Sequence, residues 1–219
     1  MSIAYKPPAD TGLDIRYLDD DLVILNKPSG LLSVPGRGDE RRDSLAIRVQ
    51  REFPQALVIH RLDMSTSGLM MMALGSKAQS VMGRLFQQRQ VEKHYVAVVA
   101  GRVAQVRGEV ALPLITDWPN RPRQKVDHET GKPALTRYQV LDHDPQSDIS
   151  RILLQPHTGR SHQLRVHMMA IGHPILGDEL YAPAGWRDAA PRLLLHAQHL
   201  AFVHPITGQP LVVECHADF

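Results

Sequence analysis

A chain of 219 residues sets 25 Lys and Arg against 23 Asp and Glu, a formal charge of +2, with the 43% apolar content of an ordinary soluble globular protein. Its longest apolar run, Leu69 to Leu74, is far too short to span a bilayer, and the first residues lack the charged start and apolar middle of a signal peptide. The pI near 8.8 stops short of the strongly basic signature of a nucleic-acid domain, so net charge alone excludes no partner but membranes are not expected.

The length fits one large domain with a substantial core. A single cysteine, Cys215, rules out an internal disulfide and suits a reducing cytoplasm. It stands beside the strand-like Leu211-Val212-Val213, which favours a structural thiol over a nucleophile.

Residues 1–12 are Pro-rich and are expected to form a loosely held arm. Leu22 to Leu25 reads as a strand that ends in the turn Asn26-Lys27-Pro28-Ser29-Gly30. Ser33 to Asp43, with Gly36, Gly38, Arg37, Arg41 and Arg42, reads as an exposed loop. Asp43 or Ser44 caps a helix through Phe53, with Leu45, Val49 and Phe53 on one face and Pro54 as its stop. Ala56 to Ile59 is a short buried strand, and Gly68 opens a second apolar run, Leu69 to Leu74.

Ser76 caps the strongest helix signal, whose stripe is Val81, Met82, Leu85 and Phe86. Lys93 to Val99 is a strand. Val106 to Asp117 suggests a weaker one running into a Pro-rich basic loop, Trp118 to Lys125. Ala134 to Val140 and Ile149 to Leu154 are two more strands, joined by a polar turn with Asp142, Asp144 and Pro145. Thr158 to Gly172 opens as a glycine turn, takes a Ser cap, continues as a helix and stops on Gly172. Turns then alternate with strands at Leu193-Leu194-Leu195 and Ala201-Phe202-Val203. Strands outnumber helices and join by short turns, which predicts an α+β fold with a mixed, mainly antiparallel sheet.

Between the strand at Ala56 to Ile59 and the run opened by Gly68 lies a polar loop, His60-Arg61-Leu62-Asp63-Met64-Ser65-Thr66-Ser67. Asp63 is the only carboxylate between Glu52 and Glu92. Taken alone it reads equally well as a turn residue bonding its own backbone. Other chemistries lack their residues. There is no Lys-Ser/Thr phosphate loop and no dinucleotide fingerprint, and the twelve histidines do not fall in metal-ligand spacing, so no metal is expected. No second carboxylate accompanies Asp63 as a glycosidase would require.

What remains is a lone acid among arginines. Arg160 and Arg165 flank one end of a helix, and Arg37, Arg41, Arg42, Arg121, Arg123 and Lys125 sit on loops. Each alone is best read as solvated surface. As a set beside a lone acid they suggest a polyanionic substrate, because guanidinium forks bind oxyanions in pairs of hydrogen bonds.

Four blocks in order, Lys27-Pro28-Ser29-Gly30, His60-Arg61-Leu62-Asp63 with Thr66-Ser67-Gly68, Gly159 to His167, and Gly172 to Asp178, resemble the signature of the RluA-type pseudouridine synthase family. The resemblance runs from about residue 20 onward and implies that family's fold with a central active-site cleft, in one catalytic domain; many members carry an extra N-terminal RNA-binding domain, for which no room is expected before Leu22. It implies isomerisation of specific uridines to pseudouridine in stem-loops of transfer RNA (the anticodon arm), 23S ribosomal RNA or both, with no cofactor and with monomer as the default state. By the resemblance Asp63 is the catalytic residue, working as a carboxylate with Arg165 as its cation. Tyr95 lies against the uracil ring. Arg61 fills the space of the extruded base and Leu195 forms an apolar floor. His60, Lys27, Arg160 and Arg123 join them as substrate-binding residues.

Extrusion of the base costs a few kcal/mol. Two competing readings stay open at this level. A non-catalytic RNA-binding or folding protein would tolerate Asp63→Asn, and an aspartate-dependent nucleoside hydrolase would release free uracil.

Overall fold

The computed structural model describes residues 5–219. In chain order its elements are β1 (Ile15–Leu18), β2 (Leu22–Lys27), α1 (Leu45–Glu52), β3 (Leu57–Val58), β4 (Ser67–Ala73), α2 (Ser76–Gln87), β5 (Glu92–Ala100), β6 (Arg107–Val110), β7 (Leu114–Thr116), β8 (Gln124–Val126), β9 (Thr136–Asp144), β10 (Ile149–Pro156), α3 (Gln163–Ala170), α4 (Ala184–Arg187), β11 (Leu195–Val203) and β12 (Pro210–Glu214). Backbone contacts group them into two compact units: residues up to Glu92 with His196–Asp218, and Lys93–Leu195 with Phe219.

In the first unit β2 lies antiparallel between β1 and β4, and β3 pairs antiparallel with the end of β4. The register of β11 on β4, His196 opposite Ser67 and Ala197 opposite Gly68, is parallel, which makes the sheet mixed. β12 returns antiparallel along β11. Every residue of β4 is buried. Its alternate residues Leu69, Met71 and Ala73 join Leu22, Ile24, Leu200 and Phe202 in one core, which α2 covers with Ala78 and Met82. Each such fully buried aliphatic side chain contributes about 2 kcal/mol.

Local chemistry explains the elements and the departures from expectation. Ser44 caps α1 by accepting from Ile47 N. At α2 the cap is Gly75 rather than Ser76, which is already the first helical residue; Gly75 adopts φ 153°, and no side chain satisfies the first amides. The segment 56–59 shrinks to the two half-buried residues of β3. Of the expected loose arm, residues 5–10 are strapped down. The buried guanidinium of Arg48 donates to Pro8 O at 2.7 Å and Ala9 O at 3.3 Å, while Tyr5 Oη donates to Asp43 O and accepts from Leu32 N, both at 3.0 Å. Arg48 also binds Asp43 through Nε and NH2, which holds the Asp43 carboxyl below the usual range. Proline content suggested looseness, but carbonyls without competing partners are good acceptors for a buried arginine.

The second unit is an antiparallel sheet in the order β5, β10, β9, β6, with β7 and β8 as a separate hairpin. Leu164 and Met168 of α3 pack on Ala97, Ile152, Leu154, Ile175 and Leu195. The weak strand expected over 106–117 is two strands, β6 and β7, separated at Pro113, which has no amide to continue a ladder. β8 begins inside the segment expected to be loop, at Gln124, and runs one residue past it. The expected strands at 193–195 and 201–203 are instead parts of one, β11, which begins only at Leu195. Ser161 does not cap α3: His162 holds that place in a left-handed conformation, φ 54°. At the other end Gly172, φ 87°, closes the helix as expected. Among the described residues no helix is long and apolar enough to cross a membrane.

Candidate active site

The loop that carries Asp63 is clamped by the turn after β2. Gly30 N donates to Met64 O at 2.9 Å, Ser29 Oγ to Ser65 O at 2.7 Å, and Ser33 Oγ to Leu62 O at 2.6 Å while accepting from Leu62 N at 3.0 Å. Lys27 Nζ completes the clamp with bonds to Pro28 O at 2.8 Å, Leu31 O at 2.7 Å and Met64 O at 3.0 Å. An ammonium has three protons and here meets three carbonyls, so the charged form satisfies the pocket fully. Burial nevertheless pushes the Lys27 pKa down to about 7, against the opposing pull of the Asp63 charge.

The backbone on either side of Asp63 is therefore fixed at Leu62, Met64 and Ser65, and Thr66 N closes a turn on Asp63 O at 3.1 Å. Gly68, φ 108°, follows at once. A Cβ there would lie 2.2 Å from Ala197 O, so only glycine lets β4 leave the loop beside β11. Ser67 Oγ meets His196 Nδ1 at 2.9 Å, and His196 Nε2 donates to Cys215 O, which ties the start of β4 into the sheet. Asp63 is half-buried and Arg61 is exposed, with Leu62 turned inward between them.

Two of the expected substrate contacts have partners within the scaffold. Lys27 is 0% exposed and so turned away from solvent; it holds the loop that carries Asp63. His60 is committed to its own scaffold, accepting from Met71 N on Nε2 at 3.0 Å and stacking on Phe86 with ring centroids 4.7 Å apart. Both lie in blocks that carry the family resemblance, and sequence alone does not separate a residue that touches substrate from one that supports it.

In the second unit Arg165 is 3% exposed and forms a two-pronged pair with Asp178, Nε to Oδ2 at 2.7 Å and NH2 to Oδ1 at 2.6 Å. Asp178 Oδ1 also accepts from Leu180 N and Tyr181 N. Gly177 delivers Asp178 to this place: at φ 73°, a Cβ would lie 1.8 Å from Arg192 O. Over the same guanidinium sits Tyr181, ring centroid 5.1 Å from Arg165 Cζ. The Tyr181 hydroxyl accepts from Gln124 N at 2.8 Å and contacts His162 Nδ1 at 2.7 Å. Asp178 and Tyr181 were not singled out from sequence; Asp178 ends the fourth matched block, which was the available signal.

The remaining polar residues of α3 are structural. Gln163 Nε2 donates to Leu135 O and to Thr136 Oγ1, and Thr136 Oγ1 in turn donates to His167 Nδ1. His167 Nε2 then donates to Leu112 O at 3.0 Å, and burial pushes its pKa down, as the neutral tautomer of this chain requires. Tyr95, on β5 opposite Leu154, is half-buried against the core that contains Leu195. Leu195 itself is 2% exposed and belongs to that core, so packing accounts for it without a ligand. Arg160 is exposed, with Nε on Pro133 O at 3.2 Å, and Arg123 is exposed on the β7–β8 hairpin.

Among the described residues Asp19, Asp21 and His204 also converge closely enough to suggest a cation site. The polar atoms of Asp19 and His204 are already engaged. Asp19 Oδ1 accepts from Asp21 N and Leu22 N, and Oδ2 meets the Tyr17 hydroxyl at 2.5 Å and His204 Nε2 at 2.9 Å. His204 Nδ1 accepts two backbone amides, so Nε2 carries the proton and faces Asp19. The cluster closes the β1–β2 turn.

With this geometry in view, the comparisons with known proteins agree. Residues 21–170 match the family model described as RNA pseudouridylate synthase. The Escherichia coli K12 protein named dual-specificity RNA pseudouridine synthase RluA is 53% identical over 215 residues, covering 98% of both chains. The protein of the same name from Pasteurella multocida is 54% identical over 94% of each chain. Among solved structures, human RNA pseudouridylate synthase domain containing 1 superposes with a TM-score of 0.81 at 32% identity, covering 98% of this chain and 87% of that one. The chain belongs to the RNA pseudouridylate synthase family and is an RNA-modifying isomerase.

Proposed function

We propose that this pseudouridine synthase has dual specificity, isomerising uridines in stem-loops of both transfer RNA (the anticodon arm) and 23S ribosomal RNA, in the cytoplasm, as a monomer and without metal or cofactor. The observation that carries the reading is end-to-end similarity, 53% over 98% of both chains, to a curated enzyme named for dual specificity. One catalytic domain spans the chain.

In this reading Asp63 is the catalytic carboxylate, Arg165 its cationic partner, and Tyr95 the residue against the uracil ring. The N1–C1′ bond breaks, the uracil turns in place, C5 bonds to C1′ and the C5 proton is lost to a base, a task the Tyr95 phenol can assist. Asp63 either attacks C1′ or assists an elimination, and both routes end in the same product. Arg61, exposed beside Asp63, occupies the space of the extruded base, while Arg160 and Arg123 meet phosphates. What supports Asp63 is its isolation as the only acid between Glu52 and Glu92 and the density of backbone bonds that fix its loop.

The test is tritium release from 5-tritiated uridine in two transcripts, a transfer-RNA anticodon stem-loop and a 23S ribosomal RNA fragment, with products mapped as pseudouridine. Release from both is expected. Release from one alone ends the dual-specificity reading, and free uracil as product ends the isomerase assignment.

A further inference from the structure

The β7–β8 hairpin presents the most exposed large aromatic side chain of the described residues, Trp118, at 69% exposure. An indole left in water at the tip of a loop contributes nothing to the core, and its neighbours are basic. The guanidinium of Arg121 lies over its ring, 4.0 Å from the centroid, and Arg123 and Lys125 follow, both exposed.

Hydrogen bonds within the tip fix its backbone. Asp117 N donates to Arg123 O, Asn120 N to Asp117 O and Arg123 N to Asn120 O, each at 3.0 Å, and Asn120 Nδ2 reaches Asp117 Oδ2 at 2.9 Å. The base of the hairpin is anchored through Gln124 N to the Tyr181 hydroxyl, and Tyr181 stands over Arg165. Acidic groups are few here: Asp117 is engaged by Asn120, and Asp127 lies 3.6 Å from Lys125 Nζ.

A rigid aromatic face with one side against a guanidinium and cations along the following strand has the composition of a nucleobase platform. Bases stack on such a ring irrespective of sequence, and the adjacent cations take the phosphates. Lys125 already lies near Asp127, while Arg121 and Arg123 beside the indole are matched by the phosphates of the RNA that the enzyme modifies, whose unpaired bases also fit the ring. We infer that Trp118 is a stacking platform for an unpaired base of the substrate RNA, with Arg121, Arg123 and Lys125 engaging the phosphates beside it. The inference rests on the RNA-modifying reading and adds to it a docking point carried by the second unit.

Trp118→Ala is expected to raise KM for an anticodon stem-loop transcript about tenfold and leave kcat within about twofold, with Trp118→Phe recovering most of the loss. The melting temperature should not change, since the side chain is outside the core. Binding read directly by indole emission provides the second measurement. The stem-loop quenches wild-type emission, and the quench is lost in Trp118→Phe, whose one remaining indole is Trp186.

An unchanged KM in Trp118→Ala overturns the inference, as does quenching by a fully paired duplex equal to that by the stem-loop. Loss of kcat without change in KM also overturns it, because a platform acts on binding. If the wild-type protein released no tritium from any RNA, the assignment of activity would fail while the quench still decided the fate of Trp118.

Discussion

Lys27 in the first unit and Arg165 in the second are both buried cations, and the two solve the cost of burial differently. Lys27 in the first unit is held by three neutral carbonyls of the turn and the Asp63 loop. Arg165 in the second is held by a full carboxylate, Asp178, itself fixed by backbone amides. Carbonyl dipoles offset desolvation incompletely, so the lysine's affinity for its proton falls toward neutrality. A carboxylate compensates the charge outright, and a guanidinium in such a fork stays charged. The first arrangement fixes a backbone loop through a cation whose proton affinity falls toward neutrality; the second fixes a side chain.

The largest effect should come from the reacting group. Asp63→Asn is expected to lower tritium release by at least about 1,000-fold with RNA binding retained, since it changes charge and not shape. Retained activity would leave only RNA binding for the first unit's loop. Next, Asp178→Ala strands the buried Arg165 guanidinium and should cost about 3–5 kcal/mol in chemical unfolding. A loss below about 1 kcal/mol would show that Arg165 finds water or another acceptor, and the contrast between the units would weaken.

Removing the Ser33 hydroxyl, which bonds both the amide and the carbonyl of Leu62, should cost about 1–3 kcal/mol. Because Leu62 adjoins Asp63, Ser33→Ala should lower kcat more than it raises KM.

Lys27 makes the comparison testable by pH. Its pKa is lower in the folded than in the unfolded chain, so between about pH 7 and pH 10 the unfolded state binds more protons and unfolding takes one up. Stability from this group therefore rises with pH across that window, by up to about 1.4 kcal/mol per pH unit. Comparing wild type with Lys27→Met by urea denaturation should show a steeper pH dependence in the wild type. Equal slopes would mean that the three carbonyls hold the proton after all. The smallest effect is the surface control: Arg137→Ala breaks the exposed pair with Glu109 and should change stability by less than about 0.5 kcal/mol.

Much of this was readable from residue types and spacing. Continuous apolar runs such as Leu69 to Ala73 need burial on both faces and became a central strand. The Ser44 cap and the Gly172 stop rest on local backbone chemistry, which distant residues do not alter. The acid at 63 stood out because no other lay near it in the chain. Less legible were elements decided by partners far away in sequence, such as β1 and β8, whose short polar segments gain strand form only by pairing with β2 and β7.

By itself, then, the sequence determined the α+β class and the family, because those follow from hydrophobic period and from motifs contiguous in the chain. Tertiary structure alone decided which polar residues of the matched blocks serve the scaffold. Lys27 is turned inward onto Leu31 and Met64, His60 onto Met71 and Phe86, and Asp178 reaches back thirteen residues to Arg165. The physical reason is that a buried polar group must find a partner, and which partner is within reach is fixed by the fold and not by the neighbouring residues in the chain.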